Sequence, residues 1–145
     1  MYRVGIDNCF NGRLFDDDTH PKIKAEADAI RRIINDKRRG GYVIIGSFAV
    51  EAEMAQITND EKRRAAEKQY KKIIDDEVKI SVSILTRAAE LESKGLKTMD
   101  ARHLAAAEEA GADFLLTTDE RFIRKCAKNH LTWVNVINPI DFERR

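Results

Sequence analysis

A chain of 145 residues, 43% hydrophobic and 35% charged, has the size and composition of one soluble globular domain, expected to span 1–145. Its formal charge of +1 excludes a histone-like polycation and leaves room only for local basic patches. The absence of any apolar run of membrane-spanning length, or of a signal peptide before the first strand, predicts a cytoplasmic protein away from membranes, and the isolated Cys9 and Cys126 read as reduced thiols.

Val4-Gly5-Ile6 is a brief apolar run, followed at once by Asp7 and Asn8. A polar loop is predicted from Asn8 to Pro21, with Asp16-Asp17-Asp18 as a solvated turn. Ala25, Ala29, Ile30, Ile33 and Ile34 recur at helical spacing and predict a helix over 22–37. Gly40-Gly41 ends it, and Tyr42-Val43-Ile44-Ile45 reads as a strand buried on both faces. Ser47 is placed to cap a helix through Ala49, Val50, Ala52, Met54 and Ile57. A charged helix is expected over 59–76, and Val78 to Val82 fits either a turn or the next helix start.

Ile84, Leu85, Ala88, Ala89 and Leu91 predict another amphipathic helix, stopped by Gly95. Met99 to Ala110 reads as a helix that ends at Gly111, where glycine supplies the left-handed conformation of a helix stop. Phe114-Leu115-Leu116 is too short for a helix and reads as a buried strand, with Thr117-Thr118-Asp119 beginning the next turn. Phe122, Ile123, Cys126 and Ala127 predict a short helix, and 133–137 a last strand, with Trp133 in the core. Asn138-Pro139 stops that strand.

Strands alternating with helical stretches predict a three-layer α/β/α sandwich around a mainly parallel sheet. In such a sheet the carboxyl ends of the strands form the ligand-binding edge. Asp7 and Asp119 each follow a separate apolar strand, so both are expected at that edge. Glu51 and Glu53 lie about 200° apart around one helix and cannot both face one site.

Four stretches carry a family resemblance. Asp7 follows the first strand. Ser47 is followed, after five residues, by Glu53-Met54. Asp100-Ala101-Arg102-His103-Leu104-Ala105-Ala106-Ala107 precedes Gly111-Ala112-Asp113, and Thr117-Thr118-Asp119-Glu120-Arg121-Phe122 follows. Together they resemble the PIN domain, a fold of metal-dependent ribonucleases and of the toxin ribonucleases of toxin–antitoxin pairs. The resemblance implies an endoribonuclease whose Asp7, Glu53, Asp100 and Asp119 hold Mg2+ or Mn2+, supported by Asn8, Ser47 and Thr117. Carboxylate oxygens suit such hard cations, which activate water and neutralise phosphoryl oxygens. It further implies RNA as substrate, an antitoxin protein as partner and a homodimer.

Asp7-Asn8-Cys9 departs from the Asp-Thr-Asn of many members, and with Asn11 and Asp16-Asp17 it resembles another bacterial branch of the family. His103, three residues after Asp100, is expected as a packed or hydrogen-bonded residue rather than a base, and Asp113 as structural. The alternatives are a PIN-fold interaction or RNA-binding module with little catalysis, and an aspartyl-nucleophile phosphatase. The phosphatase reading is weakened by Cys9, which stands where a second Asp belongs.

Overall fold

The computed structural model describes residues 1–15 and 19–145, so the Asp16-Asp17-Asp18 turn lies outside the described residues. β1 (Tyr2–Ile6), β2 (Tyr42–Ser47), β3 (Asp76–Val78), β4 (Phe114–Leu116) and β5 (Asn135–Ile137) form one sheet of order β3-β2-β1-β4-β5, parallel at every pairing. The helices are α1 (Asn8–Gly12), α2 (Pro21–Gly40), α3 (Phe48–Met54), α4 (Asp60–Ile73), α5 (Val82–Ser93), α6 (Thr98–Glu109), α7 (Glu120–Asn129) and α8 (Pro139–Arg144).

Alternation along each strand sorts the core into two layers. Val4, Ile6, Ile44, Phe114 and Leu116 pack under α2, α3, α4 and α8, through Ile30, Ile33, Val50, Met54, Tyr70, Ile73 and Phe142. Leu115 and Val136 pack on the other side with Ile84 and Leu91 of α5, Leu104 and Ala105 of α6, and Phe122 and Cys126 of α7. This is the expected three-layer sandwich. No helix among the described residues is long and apolar enough to cross a membrane.

The chain winds outward from β1 to β2 and β3, then crosses back to β4 on the other side of β1. Winding direction reverses between β1 and β4, which leaves a crevice beyond their carboxyl ends. Register aligns that edge: Ile6 pairs with Leu116 and Gly5 with Ile45, so Asp7, Thr117 and Ser47 leave the sheet side by side. Two glycines allow the close packing behind it. A Cβ on Gly5 would meet Leu115 at 3.4 Å and Ala107 of α6 at 3.6 Å, so the alanine-rich face of α6 lies close over β1. A Cβ on Gly46 would overlap the Tyr70 ring and hydroxyl.

Several elements differ from expectation. Residues 8–15 are not a loop: α1 and a 3-10 turn over Arg13–Phe15 occupy them, because Asp7 caps the first turn and buries Phe10 and Asn11. A single helical turn is too short to show periodicity. The 76–78 segment is a fifth strand, whose two charged residues at the sheet edge hide it from a hydrophobic pattern. Residues 139–144 form α8, started by Asn138 and Pro139. Ala25 is exposed, and the buried stripe of α2 instead runs through Glu26, Ala27, Ala29, Ile30 and Ile33. Trp133 is not core: it is 64% exposed, because β5 begins only at Asn135.

Candidate active site

Asp7 and Asp119 are held by the same local device. Each follows a strand in extended conformation and caps the helix that starts next. Asp7 Oδ1 accepts from Phe10 N at 2.9 Å, and Asp119 Oδ1 accepts from Arg121 N at 3.0 Å and Phe122 N at 3.2 Å. A carboxylate at a helix N-terminus satisfies orphan amides and interacts favourably with the helix dipole. In each case the other oxygen is left for other partners. Thr117 is fully buried between them: its hydroxyl bonds to the Asp7 carboxyl and accepts from Asp119 N at 3.1 Å.

Asp100 and Glu53 come from helices. Asp100 lies in the first turn of α6, where no side chain caps the helix and a carboxylate complements the amide ends. Ser47 Oγ accepts from Ala49 N at 3.2 Å, so it starts α3 and sets the phase of Glu53. Glu53 turns inward and bonds through Oε1 to His103 Nε2, whereas Glu51 is exposed and its field acts on Tyr70, Glu77 and Lys79. His103 is therefore a buried hydrogen-bonding partner, as expected, and it ties α3 to α6. Its Nδ1 is buried without a partner among the described residues, as is Asn8 Oδ1.

The electrostatics link the four acids. Burial pushes the Asp7 carboxyl up, and Glu53 adds to that, while His103, the Thr117 hydroxyl and the Phe10 amide oppose it. Burial also lifts Asp100 to about 6, helped by the charges of Asp119 and Asp7 and opposed by His103 and Lys97. The Cys9 thiol is pushed up by burial and then by Asp7, Glu53, Asp119 and Asp100 in turn. One side chain thus feels all four carboxylates.

Among the described residues, no three His, Cys, Asp or Glu side chains are gathered tightly enough to hold an ion as they stand. Asp7 and Asp119 each commit one oxygen to a helix amide, and Glu53 is bonded to His103. The donor set itself is all carboxylate oxygen, the type that hard divalent cations take, and burial leaves Asp7 and Asp100 carboxyls that hold their protons more tightly than exposed ones.

A cleft of about 280 Å³ opens beside these acids, lined by Asn8, Cys9, Gly12, Arg13, Ile57, Lys62 and Thr118. Arg13 braces its wall. Nη2 donates to Thr118 Oγ1 at 2.8 Å, and Nε lies 3.2 Å from Oε1 of Glu26, which is buried and accepts from Asn138 Nδ2 at 2.7 Å. The sequence reading missed this bracket. Its signal is Glu26, a carboxylate four residues before Ile30 on the buried stripe of α2, where an acid needs a partner. Asp113 is structural as expected: it accepts from Arg3 N at 2.8 Å, at the opposite end of β4 from Asp119.

The PIN domain family model matches residues 15–128, a span that includes Glu53, Asp100 and Asp119 and begins after Asp7. Among solved structures, the fold is similar to that of VapC20 from Mycobacterium tuberculosis, described as a sarcin–ricin loop cleaving toxin. The TM-score is 0.62 at 16% identity, over 90% of this chain and 98% of that one. At that identity the likeness is one of fold. No curated protein matches the sequence.

Proposed function

The chain belongs to the PIN domain family, and from that premise we propose that it is a divalent-metal-dependent endoribonuclease. Its acid set is Asp7, Glu53, Asp100 and Asp119, and its cofactor is Mg2+ or Mn2+. The observation that supports the reading most is geometric: Asp7 and Asp119 cap α1 and α7 beyond the neighbouring strands β1 and β4, where winding reverses, and Glu53 bonds to His103 on the helix that carries Asp100. Capping and packing account for one oxygen each of Asp7 and Asp119, and leave the gathering of four acids at this edge to be explained by a ligand.

In this reading Asp7, Asp119 and Asp100 would hold the ion at the crevice. When bound, such an ion activates water and neutralises charge on the phosphoryl oxygens. Glu53, bonded to His103, would complete the set by binding a second ion or orienting the attacking water. Thr117 keeps Asp7 and the Asp119 backbone in register, Ser47 fixes the helix that carries Glu53, and Asn8 lines the neighbouring cleft. The phosphodiester of RNA is the substrate. The toxin role, with an antitoxin protein as partner, a homodimeric state and a cytoplasmic setting, belongs to the same reading, and the likeness to a sarcin–ricin loop cleaving toxin supports it.

The test is incubation of the purified chain with single-stranded and structured RNAs in magnesium, manganese or chelator. Cleavage with either ion, lost in chelator, is expected. Cleavage that persists unchanged in chelator would refute the mechanism.

A further inference from the structure

Exposed helices usually interleave acids and bases, and α2 does so: Lys24 and Arg31 both reach Asp28, and Arg39 reaches Asp36. α7 does not. Arg121, Arg124, Lys125 and Lys128 recur at i, i+3, i+4 and i+7, which sets four cations along one face with no acid between them. Like charges at these spacings oppose helix formation, and Arg121 stands near the amide end of the dipole, where a cation is disfavoured. The one acid of that first turn, Glu120, is turned aside: its carboxylate bonds to Asn138 and pairs with Lys22 of α2. Among the described residues, none of the four basic residues makes an ion pair. Arg124 and Lys125 donate instead to the backbone oxygens of Glu120 and Gly95.

The second bond widens the surface. It ties α7 to the turn before α6, where Lys97 is also exposed and makes no ion pair among the described residues. Lys97 reaches the acids: its charge is felt by Asp100. At the other end the stripe starts two residues after Asp119, whose carboxylate accepts from the Arg121 amide. The basic face therefore leads directly out of the acidic crevice. It runs about 10 Å along α7, at 1.5 Å per residue.

We infer that the face of α7 formed by Arg121, Arg124, Lys125 and Lys128, with Lys97 at its head, is the track for the phosphate backbone of single-stranded RNA leading into the site. This rests on the ribonuclease reading and adds where the substrate lies. Phosphates are the ligand this face selects, because its cations are spaced along a line, pair with no acid among the described residues and end at carboxylates that a bare polyanion avoids without a metal. A backbone lying on the stripe delivers one phosphodiester to the acids while its neighbours are neutralised outside them. Because the contacts are with the backbone, binding is sequence-independent and salt-sensitive.

The experiment measures fluorescence anisotropy of a labelled single-stranded RNA with the full chain in chelator, across a salt series, alongside cleavage assays with magnesium. Arg124→Gln/Lys128→Gln changes two exposed side chains, and an unchanged melting curve confirms its fold. Binding should weaken about tenfold at low salt, and the slope of log affinity against log salt should shrink by about 1.4, from about 0.7 per lost phosphate contact. Arg64→Gln/Lys68→Gln on the exposed face of α4 should bind as wild type does, and Arg124→Lys should retain most of the affinity. A stripe variant that binds and cuts like wild type, while wild type is an active nuclease, overturns the track and leaves the nuclease reading intact. Displacement of RNA by polyglutamate as effectively as by unlabelled RNA overturns it in favour of an acidic protein partner. A wild-type chain that neither binds nor cuts RNA removes both readings.

Discussion

Asp100 offers a test of the acid cluster that needs no substrate. Its carboxyl is raised from 3.8 to about 6, first by burial and then by Asp119 and Asp7. A carboxyl raised in the folded state binds its proton more tightly there than in the unfolded chain. The stability it contributes is complete below pH 3.8 and is lost as pH climbs to about 6. Above that both states are ionised, and the deficit stays constant. The full shift corresponds to about 3 kcal/mol at 1.36 kcal/mol per unit. Water reaches part of this side chain, so screening leaves about 1.5 kcal/mol. Asp100→Asn keeps the shape and removes the ionisation. In chelator at neutral pH it should therefore melt about 4 °C above wild type, at roughly 3 °C per kcal/mol for a domain of this size. At pH 4 the two proteins should nearly coincide. Magnesium should raise the wild-type melting temperature, by about 2.7 kcal/mol of stabilisation at a hundredfold excess over its dissociation constant, and should do far less for the variant. Thermal melts followed by circular dichroism across pH, with and without magnesium, decide the matter. A variant that is less stable than wild type at neutral pH, or a difference that does not change with pH, would refute the argument and make Asp100 a structural acceptor.

Two further substitutions probe the frame around the cluster. Glu53→Gln removes the charge on the side chain that bonds to His103, so RNA cleavage should fall at least a hundredfold, within the range of lost acid–base catalysis, while Glu51→Gln retains most of it. The opposite pattern in a cleavage assay would mean that α3 presents its other face to the site. Gly46→Ala would drive a Cβ into the Tyr70 ring, whose hydroxyl bonds to Glu77 at 2.6 Å and to the Ser47 carbonyl, so it should cost about 1–3 kcal/mol in urea unfolding. Wild-type stability in that variant would show that β2 and α4 separate easily.

The long elements were legible because burial wrote a period into them. β4 was read at its observed bounds, since three large apolar residues between Asp113 and Thr117 leave no other place for a strand. Helical phase separated Glu51 from Glu53, and the Ser47-to-Glu53 spacing of the family resemblance chose between them; Glu53 is half-buried and Glu51 exposed. What escaped was short or polar. α1 is a single turn organised by the Asp7 carboxylate, β3 is an edge strand whose first two residues are acidic, and α8 is six residues long. The Arg13–Glu26–Asn138 bracket escaped for a different reason. Its members are 13 and 112 residues apart in pairs, and only folding reveals that Glu26 points inward to meet them. Trp133 shows the converse error: hydrophobic character placed it inside, but the chain pairs two residues too late to bury it.

The site also explains how acids can be concentrated at one edge without unfolding it. Desolvation and mutual repulsion raise Asp7 and Asp100, so the cluster opposes folding by itself. Each acid is held by a group that folding must place there anyway. Asp7 and Asp119 satisfy the first amides of α1 and α7, Asp100 sits at the uncapped start of α6, and Glu53 bonds to a buried histidine. The starts of α1 and α7 lie at the carboxyl edge because each helix follows a parallel strand of the sheet directly. The same topology therefore supplies both the crowding of charge and the amide dipoles that tolerate it. The residual excess of negative charge is what a divalent cation would relieve. On the proposed reading, the four carboxylates are half of a binding equilibrium rather than a finished structural network.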